Sequence, residues 1–139
     1  MTLDTWILET MDVEYAFGHR FSDTPLTLEG KVIKILPDDH VPIHHQRFIV
    51  QVFAESQSKH SGHTVLIAHN LERAYRVPVA IGDKVEVHGT YVWNRYGGII
   101  HNTHHYEREC EGGRCEPHKD GYINFAGKKN PDEENAPKI

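Results

Sequence analysis

The sequence predicts a mainly β protein, a small five-stranded barrel with an amphipathic helix before it and a disordered tail after it. Between residues 28 and 105 the chain has five short runs in which apolar and polar residues alternate, with turn-forming residues between them. Hydrophobic residues make up 38% of the 139 residues and are concentrated in this middle part. The length has room for one domain.

Residues 1–27 are predicted to form a helix and a lead-in to the barrel. Five apolar residues recur at helical spacing over 3–17. They are Leu3, Trp6, Ile7, Met11 and Tyr15. A stripe of this kind predicts that the helix lies against the barrel as a structural cover.

The barrel domain is predicted over 28–127 and carries a loop at 106–120 that contains Cys110 and Cys115. Two cysteines that enclose four residues fit a small disulfide loop, half of a metal site or two unrelated thiols, and the spacing does not choose among these. The segment 128–139 is rich in Pro, Glu, Asn and Lys and is predicted to be a disordered tail.

The five predicted strands cover 28–36, 45–54, 63–69, 84–93 and 99–105. The fourth alternates most clearly, and Gly89 stands on its apolar parity, where a barrel needs a tight bend or a bulge. The segment NRYGG predicts a hairpin between the fourth and fifth strands. Three strands, a short connection and a hairpin of two more form the strand order of an OB-type barrel.

Several separated segments resemble a bacterial family known only as domain of unknown function family 3465. They are LPDD at 36–39, HQRFI at 45–49, LIAHN at 66–70, GDKVEVHGTYVWN at 82–94 and GGIIHNTHH at 97–105. The resemblance implies an OB-like fold and no assigned activity. It also implies that some relatives are exported, and the chain departs from the family in its cysteine-bearing insert at 107–116.

A cytoplasmic location is expected because the N-terminus has no basic residue before its short apolar stretch, although Cys110 and Cys115 leave export open. No apolar run is long enough to predict a membrane span. The oligomeric state is not predicted.

The predicted topology gathers polar residues at one rim of the barrel. In an OB-type barrel the third and fifth strands are parallel neighbours, and the second is antiparallel to the third. The ends of strands one, three and five therefore meet the start of strand two. The side chains at these places are Asp38, Asp39, His45, Arg47, His69, Asn70, His104 and His105.

Three interpretations of this rim stay open. In the first, His45, His69, His104 and His105 hold a divalent transition metal such as Zn, Ni or Mn, or Asp38, Asp39, Arg47 and Asn70 bind a small anionic ligand. In the second, the rim is a metal-dependent phosphodiesterase or nuclease site, with His45 as general base and Arg47 stabilising the developing charge. In the third, the polar side chains only satisfy loop backbone groups.

A single-stranded nucleic-acid binding module is the remaining alternative. Tyr96 and Arg95 in the hairpin provide an aromatic ring and a cation, whereas Tyr91 and Trp93 share the parity of core residues. The net charge of -5, with twelve histidines counted as neutral, disfavours duplex DNA as the partner. Phosphate-cradling glycine motifs and a serine-hydrolase elbow are absent from the sequence.

Overall fold

The computed structural model describes residues 12–40, 43–53, 62–104 and 121–125. The elements in these ranges are α1 (Val13–Gly18), β1 (Thr24–Asp39), β2 (His45–Val52), β3 (Thr64–Asn70), β4 (Lys84–Val92), β5 (Ile99–His101) and β6 (Tyr122–Phe125). The cysteine-bearing loop, the predicted tail and His105 lie outside the described residues.

Five of the strands close into a hydrogen-bonded ring in the order β1-β2-β3-β5-β4, because β1 pairs with β4 as well as with β2. The parallel β3–β5 pair and the antiparallel β2–β3 pair are those that the sequence predicts. β6 lies outside the five predicted strands, and it pairs with β4 on the edge that β5 also uses. The chain is thus mainly β, with a ring of five strands and a sixth attached.

Two strands differ from their predicted bounds by more than two residues. β1 starts at Thr24 because residues 24–31 pair with β4 before the same strand turns to pair with β2. β5 ends at His101, four residues early, because Asn102 takes a positive φ of 55° that a strand cannot continue through.

The ring interior is filled by the apolar residues of each alternating strand. Phe48, Ile67, Tyr91 and Ile100 are each 0% exposed. Gly89 lies among them on the inner face of β4, where an added Cβ would collide with the backbone oxygen of His101. The absence of a side chain there therefore lets β5 approach β4 closely.

The two ends of the ring are covered differently. At the end where β3 begins and β4 finishes, α1 buries Val13 and Ala16, and Asp12 caps its first turn by accepting the Tyr15 amide at 2.8 Å. Tyr15, which the spacing places on the buried stripe, is 43% exposed. The rest of the predicted helix, 3–11, lies outside the described residues.

The opposite end is covered by the β3–β4 connection, residues 71–83. It has turns rather than a helix, and its Ala74 and Val77 are completely buried. This end is the predicted polar rim. None of the helical segments in the described residues has the length and apolar character that a membrane crossing requires.

Candidate functional site

Strand register brings part of the predicted rim together. Asp39 of β1 lies opposite His45 of β2, and His45 lies opposite Asn70 of β3. One step further along the strands, Arg47 lies between Leu36 and Ala68. Side chains at paired positions share one face of a sheet. Asp39, His45, Arg47 and Asn70 therefore lie along neighbouring positions of the outer face.

Two other predicted rim residues, His69 and His104, are buried. His69 pairs with Gln46, one position out of step with His45, so its side chain points to the opposite face. The buried polar residues of the described ranges all lie at this end of the ring. They are Gln46, His69, Thr103 and His104, at 6%, 0%, 0% and 5% exposure.

Both ring nitrogens of His69 are engaged. Nε2 lies 2.9 Å from the Tyr75 carbonyl oxygen, which only accepts, so Nε2 carries the hydrogen. Nδ1 then accepts from the Thr103 hydroxyl at 2.7 Å. Burial lowers the pKa of His69 to about 4, and the Tyr75 hydrogen bond opposes this only in part. His69 is a neutral imidazole that hydrogen-bonds to the β3–β4 connection at Tyr75, and it has no lone pair left for a metal.

Gln46 also hydrogen-bonds to the β3–β4 connection, at Val77. Its amide nitrogen donates to the Val77 carbonyl at 2.6 Å, and its amide oxygen accepts the Val77 N–H at 2.9 Å. Sequence reasoning missed this residue. The available signal was its parity, because Gln46 alternates with Phe48 and Val50 on the inner face of β2.

Asp38 forms an ion pair with Arg76 and a hydrogen bond with His44. Arg76 forms a two-pronged contact with it, and Nη1 of Arg76 lies 3.2 Å from Oδ1. His44 Nε2 lies 2.8 Å from Oδ2. Hydrogen bonds from Arg76 and then His44 lower the pKa of Asp38 to about 2. The sequence gives no signal for Arg76, which is 38 residues from Asp38 and lies in the β3–β4 connection.

Two side chains of the outer face keep unused donor capacity. Arg47 donates from Nε to the Pro37 carbonyl at 3.0 Å, and within the described ranges no carboxylate pairs with its guanidinium. The Nδ1 atom of His45 is buried without a hydrogen-bond partner and lies 3.9 Å from Asp39 Oδ2. Asn70, by contrast, accepts the Glu72 amide at 2.8 Å and so shapes a local turn.

The described residues include no group of three or more His, Cys, Asp or Glu side chains arranged to hold a metal ion. His105, one of the four predicted metal ligands, lies outside those ranges. The metal site and the hydrolytic roles of His45 and Arg47 therefore stay predictions.

Comparison with known proteins matches the chain to a protein family. Residues 3–130 match the model of a family described as "Protein of unknown function (DUF3465)". No curated protein and no solved structure matches the chain significantly.

Proposed function

The chain belongs to the DUF3465 family, and we propose that its five-stranded ring is an OB-type barrel that binds a small anionic ligand at the rim, with Arg47 as the anchor. The observation that carries this proposal is the state of Arg47. Pro37 holds the guanidinium through Nε, while the terminal amino groups have no carboxylate partner in the described ranges. A planar fork of this kind matches a carboxylate or phosphate group bidentately.

His45 supports the same ligand. It lies two residues before Arg47 on the same face of β2, which is about 7 Å along a strand. Its Nδ1 atom has no hydrogen-bond partner. A bound anion supplies an acceptor for that nitrogen when it carries a hydrogen.

The charge balance of the rim also suits an anion. Asp38 is paired with Arg76 of the β3–β4 connection and hydrogen-bonded to His44. Arg47 on the outer face has no carboxylate partner in the described ranges, and Asp39, the acidic side chain at this end of the face, lies opposite His45 rather than Arg47. We favour an anion over a metal as the ligand because His69 uses both ring nitrogens in hydrogen bonds to the protein.

The test is titration of the full chain with inorganic phosphate and pyrophosphate, measured by calorimetry and by the shift in unfolding temperature. Arg47→Ala is expected to weaken binding about 10- to 100-fold, the effect of losing a hydrogen bond to a charged group. Arg47→Lys keeps the charge but loses the planar, bidentate donor geometry, and we expect its affinity to lie between those of the unchanged protein and Arg47→Ala.

Lys84→Ala is the matched control, because it removes one cation from an exposed pair with Glu29 on a different strand. It should leave binding within about twofold of the unchanged protein. Equal pyrophosphate affinity in the unchanged protein and in a folded Arg47→Ala variant would remove the basis of the proposal.

A further inference from the structure

The outer face of the sheet continues from Arg47 toward the β4–β5 hairpin. We define the outer face as the side chains at paired positions of β1, β2 and β3 on the side away from the core. Beyond the rim residues Asp39, His45 and Asn70, they are Lys31, Lys34, Leu36, Arg47, Ile49, Gln51, Thr64, Leu66 and Ala68. Asp39, which is acidic, lies at the rim end of this face opposite His45, and the paired positions of these strands between Arg47 and the hairpin carry no acidic side chain.

A small pocket lies in this face. It has a volume of about 190 Å³, and Leu36, Ile49 and Leu66 line it together with Asn94 and Tyr96 of the hairpin. Pockets that enclose whole drug-sized ligands measure roughly 300–1,000 Å³. This one has room for a single ring-sized group with an apolar face.

Tyr96 is presented to that pocket on an ordered turn. Asn94 Oδ1 accepts the amides of Tyr96 and Gly98, each at 2.9 Å. The guanidinium of Arg95 lies 4.9 Å from the Tyr96 ring centroid and donates to its hydroxyl at 2.7 Å. The Tyr96 side chain is nevertheless 75% exposed. An exposed ring held in place loses little entropy when a flat group stacks on it.

Three cationic residues adjoin residues that line the pocket. Arg47 lies two residues from Ile49 on β2, Lys34 pairs with Ile49 from β1, and Arg95 lies beside Tyr96. The face therefore offers a ring-sized apolar site about 7 Å from an arginine, with further positive charges beyond it. A flat ring next to an anionic group, repeated along a chain, is the chemistry of a nucleic-acid strand.

We infer that the outer face binds single-stranded nucleic acid, with one base stacked on Tyr96 in the pocket and a backbone phosphate on Arg47. The inference rests on the proposed anion site at Arg47 and names its ligand. A single strand is required because its bases are free to stack on a protein ring, whereas those of a duplex are stacked on one another.

The experiment is fluorescence anisotropy of labelled 12-nucleotide DNA and RNA strands with the full chain at two salt concentrations. We expect Tyr96→Ala to weaken binding about 5- to 100-fold and Tyr96→Phe, which keeps the ring, about twofold or less. Tyr15→Ala is the control, since Tyr15 is an exposed tyrosine on α1 that does not line the pocket. It should bind like the unchanged protein. Affinity should fall as salt increases.

The outcomes separate this inference from the proposal beneath it. Pyrophosphate binding that depends on Arg47, without binding of any strand, overturns the inference and keeps the anion site. Strand binding that is lost in Arg47→Ala but unchanged in Tyr96→Ala overturns the stacking. A mononucleotide that binds as tightly as the 12-mer overturns the strand as ligand. If Tyr96→Ala changes only the oligomeric state in sedimentation, the face is an interface between copies, and the inference is also overturned.

Discussion

Acid should destabilise this protein through His69 in a pH range set by its burial. Burial lowers the pKa of His69 from 6.5 to about 4. Above pH 6.5 the imidazole is neutral in both the folded and the unfolded chain, so its full contribution to stability is present. As the pH falls from 6.5 toward 4, the unfolded chain binds a proton that the folded chain does not, and stability is lost.

The magnitude follows from the size of the shift. Two and a half pKa units correspond to about 3 kcal/mol when the pH has fallen below both values, and between pH 7 and pH 4.5 the loss is about 2 kcal/mol. His69 is completely buried, so solvent screening reduces this little. Nearby titratable groups, His104, His45 and Arg76, act in the same direction as burial and lower the pKa of His69 further.

The assay is urea unfolding of the unchanged chain and of His69→Gln from pH 7 to 4.5, followed by tryptophan fluorescence. Gln keeps a donor and an acceptor but does not titrate, so contributions from other histidines cancel in the difference between the two proteins. That difference in the free energy of unfolding should narrow by about 2 kcal/mol as the pH falls. A constant difference would refute the reasoning. If His69→Gln does not fold, an NMR titration of the unchanged protein decides, and a His69 pKa near 6.5 is the refuting result.

Three further predictions concern stability. Gln46→Ala leaves the N–H of the buried Val77 unpaired and removes one of the two hydrogen bonds to its carbonyl, which also accepts from Val79 at 2.8 Å, and should cost about 2–4 kcal/mol in urea unfolding. Gln51→Ala on the outer face should cost about 0.5 kcal/mol or less. Gly121→Ala places a Cβ against the backbone oxygen of Asn102 and should lower the unfolding temperature by several degrees; an unchanged temperature would contradict the close approach. Asp38→Asn should flatten the loss of stability between about pH 4 and pH 2. The carboxylate stabilises the folded chain fully above its unfolded pKa of 3.8, and this contribution is lost as the pH falls toward its folded pKa of about 2.

The ring and its pairings were predictable from the sequence because alternation in each strand is strong and the order of the runs permits few closed arrangements. Phe48 and Val50, for example, identify the inner face of β2 without any knowledge of its neighbours. The sixth strand was harder to predict, because four residues with one apolar face do not specify a partner.

The sequence predicts which side chains lie at the rim end of the strands, but it does not predict which of them share a face of the sheet. Whether His45 and His69 share a face depends on the register between β2 and β3, and the lengths of the strands do not determine that register. The partner of Asp38 depends on the path of the β3–β4 connection. Arg76 belongs to a stretch without periodicity, so the sequence provides no means of placing it.

The hydrogen bond from the Gly121 amide to the His104 carbonyl, at 2.9 Å, joins two points that are seventeen positions apart in the chain. β5 and β6 occupy successive parts of one edge of β4, so this bond lies where the chain leaves that edge and returns to it. The pairings of β4 with β5 and with β6 are therefore complete on either side of the interval 105–120. Loop-closure entropy rises slowly with loop length, so a longer or shorter interval between these two points would cost the ring little. The bond adjoins the buried Thr103 and His104, and a change of sequence within the interval would therefore leave the polar end of the ring formed by the same residues.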